Sequence, residues 1–425
     1  MTTTPSAARR VFLLLTATRW FPVGLVVSVT TLLPIERGLT VAQTLTLASV
    51  GGFTVFLLEL PTSGTADALG RKPVLVAAGV AQVVAAGLFA AAQSFLVFAA
   101  SALVMGVFRA LDSGPLEAWF VDTVHVTHPG ADVDRTLSLQ SAVLGGAIAL
   151  GALVSGGLIW WHPIAAWSAL TLPYVVYAVL AVVHLAAVAL LLHEPARDGV
   201  TSRGLAAAVA AARRAPGVVA DGLRLARGSR VLRALLLVEV FWSVGMVVFE
   251  SFMPIRLGEL LGSGARAGAV MGPVGSVGWA VFAGGAGLAG LAARRFGVAR
   301  TALAARVLNG LGAVWMGLAL GPAALVVAYL ATYGLHGAGG PAYNTLLHRE
   351  AQAGNRTTVL SMASMLGFAA FGVAAPVLGW TADAVSTSVA MVLGGAFSTV
   401  GALCFLPALR REKELRAAGS VVVSV

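Results

Sequence analysis

The chain alternates long apolar runs with short polar turns. One apolar run over 40–58 leads into Glu59–Lys72, ELPTSGTADALGRK, and another begins at Pro73. In lipid every backbone polar group must be satisfied within its own segment, so runs joined this way read as membrane-spanning helices. With about 20 residues needed per span, the pattern predicts helices over 11–33, 40–61, 73–93, 96–121, 136–160, 169–192, 232–254, 268–292, 301–319, 323–346, 357–380 and 385–407. All but six of the 28 Lys and Arg fall in alternate connections or at their edges. Arg37, Arg256 and Arg266 lie in the opposite loops, and Arg19, Arg109 and Arg306 lie inside spans. Positive charge marks the cytoplasmic face. The even number of spans then puts both termini there, in a multi-pass protein of the plasma membrane.

Composition agrees with the pattern. The 425 residues are 58% hydrophobic and 11% charged, with 50 glycines and one cysteine, Cys404. A soluble protein cannot hide so much apolar surface. A formal charge of +10 in a soluble domain would suggest nucleic acid; its one-sided placement accounts for it here, and no nucleic-acid partner is expected. One cysteine excludes an intramolecular disulfide and a cysteine-based zinc cluster. Neither Lys72 nor Lys413 is followed by Ser or Thr, so there is no phosphate-binding P-loop and ATP is not expected. The GxGxxG at Gly285, Gly287 and Gly290 lies in an apolar helix with no strand before it, where close helix packing is the expected role rather than a dinucleotide site. Arg9-Arg10 before Val11 reads as a basic anchor to a retained first span rather than an export signal. His184 and His336 are single imidazoles inside spans with no second ligand at metal spacing. No metal or cofactor is expected, and packing is the simpler role for both, ahead of a proton relay. Glycine and alanine in place of lysine suggest a GC-rich bacterial source.

The turn with Asp67, Gly70, Arg71 and Lys72 resembles the loop between helices two and three of the major facilitator superfamily. That pattern is Gly, three residues, Asp, a basic residue, any residue, then Gly-Arg-Lys/Arg. Ser63 stands where the first Gly belongs, beside Gly64, and Ala68 replaces the basic residue. The resemblance implies an all-α membrane protein of twelve transmembrane helices in two six-helix, pseudo-symmetric bundles, a small-molecule substrate and a monomer. In the family the matching Asp sits against the start of helix eleven, and the matching Arg pairs with an acid at the inner end of helix four. Carried over, Asp67 meets 357–359 and Arg71 meets Asp122, closing the cytoplasmic side as a latch. A carboxylate at a helix N-terminus is worth about 0.3–1 kcal/mol when exposed. The plainer reading is that these charges only enforce topology.

The halves repeat. Leu13-Leu14-Leu15 with Trp20 recurs as Leu235-Leu236-Leu237 with Trp242, and Gly114-Pro115 as Gly340-Pro341. Leu137-Ser138 with Ser141 recurs as Leu360-Ser361 with Ser364. Gly290, Arg294 and Gly297 form a degraded copy of Ser63, Asp67 and Gly70. Four echoes at nearly one offset predict a parallel repeat: a first bundle over 1–193, a basic connector over 194–230, a second bundle over 231–409 and a cytoplasmic tail over 410–425. The connector reads equally as an amphipathic helix on anionic lipid or a solvated tether.

Charges inside spans are functional candidates by default. In RALDSGPLEAW, a continuous helix places Arg109, Ser113 and Glu117 on one face and Asp112 beside Arg109 at i+3. Arg109 lies about 20 Å deep at 1.5 Å per residue, where an unpaired Arg costs several kcal/mol. The residues resemble the superfamily's helix-four motif, which is linked with proton coupling; a static Arg109–Asp112 pair is the alternative. Arg19, Glu239 and Glu250 lie on helices one and seven, which line the central cavity in this fold. Arg19 and Glu239 are partners there, or each meets a charged substrate. Trp20, Trp242 and His336 are further candidates for the cavity wall, while Glu59 and Arg306 lie near cytoplasmic ends, within reach of snorkelling. The coupling acid is expected among Asp112, Glu117, Glu239 and Glu250.

Helix five, with Gly145-Gly146, Gly151-Ala152 and Ser155-Gly156-Gly157, is similar to the Gly-Pro-x-x-Gly-Gly antiporter motif of drug exporters. Ala152 and Ser155 stand in place of Pro and the first paired Gly. The expected function is proton-coupled efflux of a drug or metabolite by alternating access, with no enzymatic activity. Proton-coupled uptake of a sugar or organic acid is the alternative, and a membrane receptor or scaffold the reading from another class.

Overall fold

The computed structural model describes residues 4–63, 65–194, 204–351 and 355–417. Among them helices alternate with short turns, and no strand occurs. Among the described residues eleven helical stretches are long and apolar enough to cross a membrane: Pro5–Glu36, Val41–Thr62, Arg71–Ala91, Phe95–Thr127, Asp134–Trp161, Thr171–Leu191, Arg230–Leu261, Gly264–Phe296, Val298–Leu318, Thr358–Ala384 and Thr387–Ala417. The tenth of the expected twelve spans is Pro322–Glu350, a 29-residue helix whose apolar character is diluted by Tyr329, Tyr333, His336 and four glycines. Spans are numbered one to twelve below in chain order.

The chain divides into two compact units. The first gathers Met1–Leu39, Val50–Ala215 and Gly268–Ser276; the second gathers Thr40–Ser49, Pro216–Ala267 and Val277–Val425. Lipid tails are as apolar as leucine, so close packing rather than water exclusion holds such helices together. In the first unit a Cβ on Gly151 of span five would sit 3.0 Å from Gly24 Cα of span one. One on Gly156 would sit 2.8 Å from Gly272 Cα. Ser155 donates to the Leu25 carbonyl at 2.6 Å, and Ser276 to that of Ala149 at 2.6 Å. The small residues of span five thus serve helix approach, with a hydroxyl bond where the antiporter pattern has glycine. Phe12 stacks on Phe120 at 4.5 Å within a cluster including Leu15, Leu75 and Trp119.

In the second unit, Leu232, Leu235, Leu236, Met362 and Phe405 form the matching core, joined by Ala226 of the connector. The connector helix Leu205–Gly228 is therefore packed at its end: a Cβ on Gly222 would collide with Met362 Sδ. Small residues at that end let it approach span eleven closely. Glu350 fixes the junction, accepting from Ser229 Oγ at 2.9 Å and Arg411 Nη1 at 2.6 Å.

Among the described residues four spans depart from straight α-helix, span twelve by tightening into a 3-10 turn over Gly401–Phe405. Span one breaks between Val26 and Val29. Span four stops at Asp112 and restarts at Pro115, with Gly114 left-handed at φ 94° between them. Span seven widens into a π-helix over Val247–Phe252, just before Pro254. Pro254 has no N–H for the carbonyl of Glu250, and a π turn absorbs that loss. The repeat partner of the Gly114 break does not break: Gly340 and Pro341 sit inside the continuous helix Pro322–Glu350.

Candidate binding and gating sites

The basic turn is built on Gly70, whose φ of 98° and ψ of 154° suit only glycine. It starts span three, and Arg71 reaches back to span four. Arg71 Nη2 donates to Asp122 Oδ2 at 2.6 Å and Nε to the same oxygen at 3.2 Å. Lys72 contributes its backbone N–H, which donates to Glu194 Oε1 at the end of span six. Glu194 thereby caps span three, a role that sequence reasoning missed. The side chains of Asp67 and Thr357 lie outside the described residues, and so does the expected contact between them.

A second constellation fills the interior of the first unit. Arg19 is 7% exposed, and its Nε donates to Asp112 Oδ2 at 2.7 Å. Its guanidinium lies over Phe108 at 4.3 Å and Trp20 at 4.7 Å. Asp112 therefore pairs with Arg19, not with Arg109 as the i, i+3 spacing suggested. Arg109 and Asp112 share the unbroken helix Phe95–Asp112, but Asp112 is its last residue and meets Arg19, while Glu59 is the acid whose field acts on Arg109. The break at Ser113–Gly114 removes the common face of Arg109, Ser113 and Glu117. Glu117 instead accepts from Gln140 Nε2 of span five at 2.8 Å. Around Arg19, His184 is bonded through Nδ1 to Thr18 Oγ1 at 2.9 Å, and Gln82 Nε2 donates to Tyr177 at 3.2 Å. Gln82 and Tyr177 were not anticipated, because their polar character becomes informative only once they face inward.

The second unit has its own constellation. Arg306 of span nine does not snorkel; it is 5% exposed and lies 4.7 Å above the Trp242 ring. Glu239 is 9% exposed and is the acid that acts on Arg306. Tyr343 lies beside both charges, its hydroxyl donating to the Leu235 carbonyl at 3.2 Å. His336 sits among rings, with Phe249 at 5.0 Å, Phe282 at 5.1 Å, Trp242 at 5.4 Å and Tyr333 at 5.6 Å. Glu250 occupies the π turn, beside Tyr333. Trp20 and Trp242, related by the repeat, each lie 4.7 Å under an arginine, supplied by span one in the first unit and span nine in the second. Among the described residues no group of three or more His, Cys, Asp or Glu could hold a metal ion.

Helices interrupted beside buried charges, in a chain with twelve spans and an internal repeat, are the hallmark of secondary transporters. The profile of the Major Facilitator Superfamily matches residues 12–374. The chain belongs to that superfamily. Membership makes it a multi-pass membrane transporter of small molecules, not an enzyme. Its fold is similar to that of the nucleoside transporter NupG (D323A mutant), with a TM-score of 0.76, 11% identity, and 94% of this chain and 99% of that one covered. It is also similar to a POT family transporter in complex with 5-aminolevulinic acid, with a TM-score of 0.66, 13% identity and 95% of each chain covered. A structure described for substrate recognition in proton dependent oligopeptide transporters gives a TM-score of 0.68 at 14% identity, covering 96% of this chain and all (100%) of that one. No curated protein sequence matches this one.

Proposed function

We propose that this superfamily member is a proton-coupled exporter of a small organic compound, working by alternating access in a bacterial plasma membrane with both termini cytoplasmic. The observation that carries the reading is the Arg19–Asp112 pair. Its two charges are 8% and 17% exposed, inside a span and at the very point where span four breaks. Ionisable groups kept at such depth mark ion or substrate pathways. A carboxylate held by one hydrogen-bonded arginine can exchange that partner for a proton, and the broken helix supplies the freedom to do so. Arg109, Glu117, Glu239 and Glu250 are the other candidates for this relay, and Arg19, Trp20, Trp242 and His336 for substrate contacts. Asp67, Gly70, Arg71, Lys72 and Asp122 form the proposed latch on the basic face.

The test is flux in vesicles reconstituted with the purified protein. An imposed proton gradient should drive a fluorescent substrate dye across the bilayer, and an uncoupler should stop it. Movement with the gradient in the opposite sense would assign uptake, flux indifferent to the uncoupler would reject coupling, and binding without flux would make the chain a receptor.

A further inference from the structure

Unpartnered polar atoms gather in one place in the second unit. Arg306 Nε and Nη1, Trp242 Nε1, Ser243 Oγ and His336 Nδ1 are all buried, with no hydrogen-bond partner among the described residues. Their side chains adjoin. The guanidinium lies over the indole, the indole stacks on the imidazole, and Ser243 follows Trp242 in the chain. Leaving a buried donor unmade costs about 1–3 kcal/mol, and more when it is charged. Such a cluster marks a place where an acceptor belongs. Three of the five atoms, two on Arg306 and one on Trp242, can only donate. They select an oxyanion.

The opposite charge is also at hand. Glu239 acts on Arg306 electrostatically, but among the described residues no ion pair joins them. Both charges flank glycines where a side chain would crowd them. A Cβ on Gly339 would lie 3.3 Å from Arg306 Cζ, and one on Gly367 would lie 3.4 Å from Glu239 Oε2 and 3.3 Å from Ser243 Oγ. In the first unit, by contrast, the buried arginine meets its acid directly, Arg19 Nε to Asp112 at 2.7 Å.

We propose that the open pair of Arg306 and Glu239 binds a zwitterionic small molecule. Its carboxylate accepts hydrogen bonds from Arg306 and Trp242 Nε1, and its cationic amine donates to Glu239. The inference rests on the reading of the chain as a small-molecule transporter and narrows the substrate to one chemical class. A molecule with only one of the two charges would leave the other protein charge buried and unmatched, which is the strongest form of discrimination such a site has.

The experiment uses the purified full chain, followed by thermal unfolding and tryptophan fluorescence. Phenylalanine, leucine, glutamine and 4-aminobutyrate are titrated, each against its matching deaminated acid and decarboxylated amine. At least one zwitterion should raise the unfolding temperature saturably, while its acid and amine do not. Arg306→Gln and Glu239→Gln should each weaken that binding by about tenfold or more, with Trp242→Phe losing less. Should Arg306→Gln fail to fold, the double variant Glu239→Gln/Arg306→Gln removes both charges together and should fold without binding. The proposal is overturned if none of the four zwitterions shifts the wild type, if the acid alone binds as well, or if binding survives in the double variant. Failure here with proton-driven dye flux intact removes the substrate class and leaves the transporter. Zwitterion binding with no flux of any compound removes the transport reading and leaves the site.

Discussion

Gly70 and Gly297 share one backbone conformation, φ 98° and 95° with ψ 154° at both. Each is followed by a 21-residue helix, Arg71–Ala91 or Val298–Leu318. An acid caps the start of each helix: Glu194 accepts from the Lys72 N–H, and Glu412 from the Ala299 N–H at 2.8 Å. The backbone device survives in both halves, although the second has lost the Asp, Arg and Lys of the first. Only a demand on the fold itself explains that.

Substitution at these glycines should therefore be costly. Gly297→Ala meets both an unfavourable φ and a collision with Glu412 and Arg416, and should lose roughly 1–3 kcal/mol. Gly70→Ala, crowded by Glu194, should behave alike. Gly287→Ala is the control, in a helix with nothing within 4 Å of the added Cβ, and should be neutral or gain up to about 1 kcal/mol. Thermal unfolding of the three variants decides the matter; equal shifts would mean that conformation is not the cause.

Asp112→Asn separates structure from coupling. It leaves the Arg19 charge buried without its anion, at a cost of about 3–5 kcal/mol. Arg19→Gln/Asp112→Asn removes both charges and should recover most of that stability. If Asp112 carries the proton, neither variant should show gradient-driven flux, while substrate exchange persists in the double. Recovery of driven flux along with stability would make the pair purely structural.

Arg71→Gln and Asp122→Asn should barely alter stability, since Asp122 is 41% exposed and such pairs contribute about 0–1 kcal/mol. Turnover is the sensitive readout. A latch predicts slower transport in either single variant and no further loss in the double, whereas a topological role predicts unchanged rates.

The span pattern, the repeat and the basic turn were legible in the sequence because each depends on local signals: apolar length, charge sidedness and glycine beside charge. Three features were not. Gly114-Pro115 and Gly340-Pro341 are the same dipeptide, yet only the first breaks its helix, so packing around the pair decides. Arg306 lies near a span end in the sequence, but linear depth says nothing about whether a long side chain turns outward or inward onto Trp242. The Arg19–Asp112 pair joins spans one and four, while i, i+3 spacing shows only which residues of one helix are neighbours, not which partner on another helix competes for them. Side-chain partners between helices are tertiary facts, and a single sequence carries them only weakly.

Asp383 caps the start of span two. Its Oδ1 accepts from the Val41 N–H at 3.1 Å and its Oδ2 from the Ala42 N–H at 2.9 Å. These are among the first N–H groups of a helix, which have no partner within it. Thr40 and Gln43 already form a reciprocal cap there, the Thr40 N–H donating to Gln43 Oε1 at 3.0 Å and the Gln43 N–H to Thr40 Oγ1 at 3.2 Å. Asp383 adds the negative charge that the helix dipole favours. Close approach is possible because position 379 is glycine, where a Cβ would lie 2.8 Å from Ala42 Cα. Asp383→Asn keeps one acceptor oxygen and loses the charge, so it should lower stability by about 0.5–2 kcal/mol, and Asp383→Ala should lower it further. Gln43→Ala removes the separate local cap, so its cost should add to that of Asp383→Asn if the two act independently. An unfolding temperature unchanged in Asp383→Ala would show that water replaces the carboxylate at no cost.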